Sequence, residues 1–235
     1  MVLPTLWFEG EYHLARYGGE CASSTASLWI NPMPPRTTRK SDRPRVPDDG
    51  IAAARKANPA SNLPHTLTHE QFVDPADFPR FRELGVISAL QLLWAEAGPD
   101  TIALVKPYLD PEIYKWQYPA RSLLDSGAVI SGASDWPVST ANVFFAIYQA
   151  ETRKGPEGIL DASQDMPRLA MFYAYTRNSA RAMNLLDKIG SIAPGKRADL
   201  ILLDRDVLTI SPENMRDTKV LWTVVAGQTV QGSAQ

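Results

Sequence analysis

The fold of this chain is decided by the segment Ser131-Gly132-Ala133-Ser134-Asp135-Trp136-Pro137-Val138 and by the residues directly before it. Residues 123–130 predict the end of a helix, a glycine stop and then a short buried strand. Small residues then allow a tight turn, and Pro137 prevents the strand from continuing. Catalytic or metal-binding carboxylates of α/β barrels follow such strands, so Asp135 is a candidate. The alternative, about equally well supported, is a turn aspartate that caps the next helix.

The chain before this segment alternates between helical and extended patterns. Residues 48–58 predict a helix with acids at its start and bases near its end. Residues 65–69 predict a short strand, residues 75–84 a helix that Gly85 ends, and residues 86–92 a buried strand. Helices that alternate with buried strands in this way are typical of a parallel α/β fold.

The chain after this segment changes from helical to extended patterns. Residues 141–153 predict one helix, and residues 166–175 and 176–185 predict a helix pair in which Thr176 caps the second helix. Residues 198–204 predict a strand, and residues 220–230 predict a hairpin around Gly227. We therefore expect an α/β region over residues 48–188 and a β-rich segment over residues 189–235.

Composition and charge exclude several classes of protein. The chain has 235 residues and a formal net charge of −2, so no basic excess indicates a nucleic-acid partner. No apolar run reaches the length of a membrane span, and the first ten residues lack the features of a secretory signal. The single cysteine, Cys21, forbids an internal disulfide and fits a reducing compartment. These observations predict a soluble cytoplasmic protein.

The first 47 residues show no helical or alternating period and are left unassigned. Residues 31–47 are rich in proline and in basic side chains, which predicts a poorly ordered linker more strongly than a nucleic-acid patch. His13 lies in this region and is given no role.

Two histidines and two tryptophans are further candidates for a site. His65 and His69 lie four residues apart, and on a strand their attachment points would be roughly 13 Å apart, too far for one metal ion. We therefore favour His69 alone as a ligand, although a lone histidine is usually structural. Trp94, in an irregular aromatic-rich stretch, and Trp136 are weaker candidates for the wall of a substrate pocket, with simple packing as the alternative.

Four segments resemble, in order and at natural spacing, motifs of the metal-dependent amidohydrolase superfamily, in particular its YtcJ-like branch. Residues 68–81 resemble the family run that contains E-H-A-Q and V-D-P, and residues 85–90 resemble its next strand. Residues 134–138 match S-D-W-P-V, and residues 189–200 resemble G-S-I-x-P-G-K-x-A-D-L. The resemblance covers the chain from about residue 48 to the end.

The resemblance implies the C-terminal part of a (β/α)8 TIM-like barrel and part of a small β-rich domain. It implies hydrolysis of a non-peptide carbon–nitrogen bond in a small-molecule amide, with a divalent metal for which zinc is the expectation. By position, His69 resembles the histidine after the sixth barrel strand, which binds metal or the substrate carbonyl. Asp135 resembles the aspartate after the eighth strand, which binds metal, orients the attacking water and carries its proton to the leaving nitrogen.

Other motifs of the family have no counterpart in this chain. Its H-x-H motif and its H-A-x-G-D-x-A motif are absent, and family chains are roughly twice as long. These differences predict about three barrel strands, whose exposed edges would favour pairing with another copy or with a complementary chain. Two hypotheses remain: a metal-dependent hydrolase, and a truncated, catalytically inert fragment or structural module that needs a complementary chain.

Overall fold

A parallel sheet forms the centre of the part of the chain that the computed structural model describes, namely residues 2–4, 25–26 and 48–233. Its four strands lie in the order β2-β3-β4-β5 and all run in the same direction. The strands are β2 (Thr25–Ala26), β3 (His65–Thr68), β4 (Val86–Leu90) and β5 (Val129–Gly132). All five residues of β4 are buried, as expected for a strand covered on both faces of a parallel sheet.

Helices connect and cover these strands. In chain order they are α1 (Asp48–Ala57), α2 (Phe78–Glu83), α3 (Pro111–Tyr114), α4 (Ala120–Asp125), α5 (Val143–Thr152), α6 (Arg168–Tyr173), α7 (Ser179–Ala182) and α8 (Pro212–Met215). Short 3-10 turns add residues 75–77, 92–94, 106–108 and 162–164. The α/β fold and its parallel strands, both predicted from the alternating pattern, are confirmed. In the described part of the chain, no helix combines the length and the apolar character needed to cross a membrane.

Helix α5 shows how the local sequence sets an element. The side chain of Asn142 accepts hydrogen bonds from the backbone N–H groups of Phe144 and Phe145, at 3.0 and 3.2 Å, which caps the helix start. The helix ends at Thr152, and the residue that caps its C-terminus, Arg153, has a left-handed backbone with φ of 50°. Most of its residues are buried in the same core as the sheet, so α5 anchors the segment that follows Asp135.

The predicted helix pair over residues 166–185 is wrong. Helices α6 and α7 form one continuous helical run through a π-helical segment over residues 174–178, so Thr176 caps nothing. Its hydroxyl instead donates to the carbonyl oxygen of Phe172 at 2.6 Å. A threonine satisfied by the preceding turn needs no break in the helix, and no glycine or proline lies between residues 168 and 182.

A second, antiparallel sheet is built mainly by the last part of the chain. Its order is β1-β8-β9-β10, with β1 (Val2–Pro4), β8 (Leu200–Leu203), β9 (Val220–Val225) and β10 (Gln228–Gly232). Strands β6 (Lys154–Gly155) and β7 (Gly158–Ile159) form a separate small hairpin. Ala226 and Gly227 both have positive φ, as the tight turn of a hairpin requires, and the predicted hairpin around Gly227 is present.

Strands β1 and β2 come from the unassigned first 47 residues, and each pairs with a strand from the later part of the chain. The predicted linker over residues 31–47, His13 and Cys21 lie outside the described residues.

Candidate functional site

His69 and Asp135 meet at the carboxyl-terminal edge of the parallel sheet. His69 follows β3 directly, and Asp135 lies three residues after β5. These strands flank β4 on its two sides, so the chain segments that leave them lie next to each other. His69 Nε2 and Asp135 Oδ1 are 3.9 Å apart, and their side chains are 17% and 27% exposed. The structure therefore brings together the two residues that the sequence singled out.

Both residues have a left-handed backbone, which is uncommon for residues other than glycine. The φ angle is 60° at His69 and 54° at Asp135. Such a conformation costs on the order of 1 kcal/mol and persists where the surrounding structure holds it in place. The backbone N–H of His69 donates to Gln91 Oε1 at 3.2 Å, and the carbonyl oxygen of Asp135 accepts from the N–H of Val138 at 2.8 Å. The two side chains are thereby aimed from sharp turns rather than from mobile loops.

Trp94 lies against the imidazole of His69. Their ring centroids are 5.7 Å apart and the planes are inclined by 25°, which is a stacked arrangement. Trp94 belongs to the 3-10 turn after β4, so the segments that follow β3, β4 and β5 all contribute to this edge. Trp136, the residue after Asp135, is 52% exposed.

Gln91 is a site residue that the sequence analysis missed. It follows β4 directly and is 3% exposed. Besides accepting from the N–H of His69, its side-chain amide donates to Thr68 Oγ1 at 2.7 Å. Gln91 therefore holds the end of β3 at the point where the chain turns to present His69. A polar residue at the end of a mainly apolar strand is the signal that could have identified it.

Glu70 was missed as well. This carboxylate is 5% exposed, and its Oε2 accepts a short hydrogen bond from Ser88 Oγ on β4. A carboxylate placed so deeply and tied to the neighbouring strand restrains the turn after His69. Its position next to a candidate histidine was the available signal.

The glycine of β5 is required by the helical run behind the sheet. A Cβ atom on Gly132 would lie 2.4 Å from Cζ of Tyr175, which belongs to the π-helical segment. In the same layer, Ser131 Oγ lies 3.0 Å from Ser179 Oγ, and the amide of Asn178 donates to the carbonyl oxygen of Ile130 at 2.8 Å. This packing determines where β5 ends and therefore where Asp135 begins its turn.

His65 lies at the opposite end of β3, as its spacing from His69 predicts. Burial lowers the pKa of His65 below its usual value, and the nearby positive charge of Arg55 lowers it further. His65 therefore faces a different environment from His69 and takes no part in this site.

The spacing of His69 Nε2 and Asp135 Oδ1 is close to that of two ligands of one metal ion. Two ligands that each lie about 2.0–2.2 Å from one zinc ion are roughly 3.3 Å apart at a tetrahedral angle, so a small side-chain rotation would close the observed gap. Among the described residues, no group of three histidine, cysteine or acidic side chains is arranged to hold a metal ion. This part of the chain thus offers two candidate ligands, whereas a catalytic zinc site takes three protein ligands and a water.

Comparison with known proteins gives consistent matches. A model of the amidohydrolase family matches residues 42–231. An N-substituted formamide deformylase from Arthrobacter pascens is 35% identical over 113 residues, which is 47% of this chain and 20% of that protein. The protein YtcJ of Bacillus subtilis (strain 168) is 26% identical over 190 residues, 77% of this chain and 34% of its own length.

A solved structure shares the fold. An uncharacterised metal-dependent hydrolase from Pyrococcus horikoshii OT3 superimposes with a TM-score of 0.57 at 24% identity, over 71% of this chain and 34% of that one. The chain spans about a fifth to a third of the length of these relatives.

Proposed function

Because the chain belongs to the amidohydrolase family, we propose that it carries the His69 and Asp135 part of a metal-dependent active site that hydrolyses the carbon–nitrogen bond of a small-molecule amide. The observation that supports this best is the separation of 3.9 Å between His69 Nε2 and Asp135 Oδ1, at the ends of two strands that flank a third. The named activity of the deformylase relative supports the same class of bond.

The proposal includes the architecture around the site. We propose that β3, β4 and β5 are consecutive strands of a (β/α)8 barrel, and that the antiparallel sheet belongs to a small β-rich domain. Parallel strands connected by helices support the first part, as does a site at their carboxyl-terminal edge. The exposed edges of an incomplete barrel would pair with a second copy or with a complementary chain.

Each residue has a role that follows from its position. His69 and Asp135 would hold a divalent ion, with zinc as the proposed identity, and the ion would supply Lewis-acid polarisation of the scissile carbonyl. The Asp135 carboxylate would accept a proton from the attacking water and pass it to the leaving nitrogen, so that a carboxylic acid and an amine result. Trp94 would keep the His69 ring in one plane and exclude water from one side of the pair. Trp136 would contact substrate.

A second candidate function is a catalytically inert module that acts only with a complementary chain. It is favoured because the described residues offer two candidate metal ligands and no group of three. Both candidates share the prediction that His69 and Asp135 bind the ion and that the chain alone shows little turnover. Robust turnover by the chain alone would eliminate the inert module.

The test measures zinc binding and hydrolysis separately. We expect the purified chain to bind zinc weakly by calorimetry, and His69→Gln and Asp135→Asn each to weaken that binding about tenfold or more, since each removes a ligand. Asp217→Asn, at an exposed position, is the matched control. We expect little turnover of N-formyl or N-acyl amines by the chain alone.

Two results would change this conclusion. Zinc binding that neither site variant weakens would contradict the assignment of the pair as ligands. Robust turnover that Asp135→Asn abolishes would show that the chain completes a site, and it would eliminate the inert module.

A further inference from the structure

A cavity lies at the amino-terminal edge of the parallel sheet, opposite His69 and Asp135. Its volume is about 650 Å³, and its walls include Pro64 before β3 and Gly85 before β4. This volume is within the range of pockets that hold small molecules. Strand β3, whose ends lie roughly 10 Å apart, separates the cavity from the candidate active site.

Three arginines from three different helices line this cavity. They are Arg55 of α1, Arg82 of α2 and Arg181 of α7. None of them forms an ion pair with any residue in the described part of the chain, although several other arginines of this protein do. Like charges that line one cavity without carboxylate partners repel each other, so an anion would be favourable there.

Arg55 is the most firmly placed of the three. Its side chain is half-buried, and its Nη2 donates to the carbonyl oxygen of Gly85 at 3.3 Å. Its Nε is buried and has no hydrogen-bond partner within the described residues. A buried donor without a partner costs free energy, which a bound acceptor would offset.

The other polar groups of the cavity are compatible with an anion. Glu83 and Asp187 also line it, but neither pairs with the arginines, and the three positive charges exceed these two negative charges. The side-chain amides of Asn62 and Asn184 add neutral donors.

We propose that this cavity is a second binding site, which takes a small molecule with two neighbouring oxyanion groups. The planar fork of a guanidinium matches the oxygens of a phosphate or a carboxylate, and arginines on three helices can approach two such groups from different sides. Because the cavity lies away from His69 and Asp135, its ligand is a molecule other than the amide substrate.

Titration calorimetry with inorganic pyrophosphate and with succinate tests the proposal on the full chain. We expect saturable binding of one ligand per chain, and the double variant Arg55→Gln/Arg181→Gln should weaken it about tenfold or more, because it removes charge-assisted hydrogen bonds. Tighter binding of pyrophosphate would identify a phosphate ligand, and tighter binding of succinate a dicarboxylate; either supports the site.

The controls separate a built site from general charge attraction. Lys56→Gln/Lys188→Gln removes the same charge from exposed positions outside the cavity and should change the affinity less than about twofold. If Arg55→Gln fails to fold by circular dichroism, Arg82→Gln/Arg181→Gln, which changes two exposed side chains, replaces it. The proposal is overturned if neither anion binds saturably, or if the lysine control weakens binding as much as the arginine variant. Because the measurement needs neither His69 nor Asp135, its outcome is independent of the proposed hydrolysis.

Discussion

Replacing Gly132 by alanine tests whether the end of β5 is held against the ring of Tyr175. The added methyl carbon would lie 2.4 Å from Cζ, 2.5 Å from Cε1 and 2.6 Å from Cδ1 of that ring. Ordinary van der Waals contact begins at 3.4 Å, so the ring or the strand must move by about 1 Å. Tyr175 is 2% exposed, and its ring therefore has no room to turn outward.

The expected cost is that of overpacking a core. Inserted carbons in well-packed interiors destabilise by about 1–3 kcal/mol, and we expect the upper part of this range because three ring carbons clash at once. With a urea m-value of about 2 kcal/mol/M, the midpoint of unfolding should fall by about 1 M or more. Because Asp135 is only three residues further along, the shift should also weaken zinc binding by the proposed site.

Urea unfolding followed by circular dichroism measures this change. Gly50→Ala is the matched control, since a Cβ atom there meets nothing within 4 Å and the residue is helical. The control should leave stability unchanged or raise it by up to about 1 kcal/mol. Adding Tyr175→Leu to Gly132→Ala should restore part of the lost stability. A Gly132→Ala protein that unfolds at the wild-type midpoint would refute the proposed packing.

Two further predictions concern arginines. Arg153→Met should lower the free energy of unfolding by about 3 kcal/mol, because the buried guanidinium donates to two backbone carbonyl oxygens at 3.0 and 3.1 Å that would lose their partner. The control Arg121→Met, which removes an exposed ion pair, should lower it by less than about 1 kcal/mol. Equal losses of stability in the two variants would contradict the argument. Arg55→Gln should raise the pKa of His65 in an NMR titration but leave it below its usual value, since burial is the larger cause of the lowered pKa. A lowered pKa of His65 in the folded state makes the stability of the protein fall as the pH drops below about 6.5, so that fall should be shallower in Arg55→Gln. An unchanged pKa of His65 would show that the charge of Arg55 does not act on it.

The sequence by itself determined the features that depend on neighbouring residues. The mainly apolar run over residues 86–90 predicted a buried strand, because a strand covered on both faces needs no polar face. Glycine and proline positions marked the ends of α2 and the turn after β5, since they restrict or free the backbone locally. The same local logic placed His69 and Asp135 after strands. The helix pair around Thr176 failed because a hydroxyl can serve as a cap or bond to the preceding turn, and the local sequence does not distinguish the two.

Only the tertiary structure decided which of these residues meet. The contact between His69 and Asp135 depends on the order of β3, β4 and β5 in the sheet, and residues 66 positions apart carry no local signal of it. The stacking of Trp94 on His69, the hydrogen bonds of Gln91 and the arginine-lined cavity likewise join segments distant in sequence. Such contacts follow from strand register and from the packing of helices onto the sheet, which are cooperative properties of the folded chain rather than of any stretch within it.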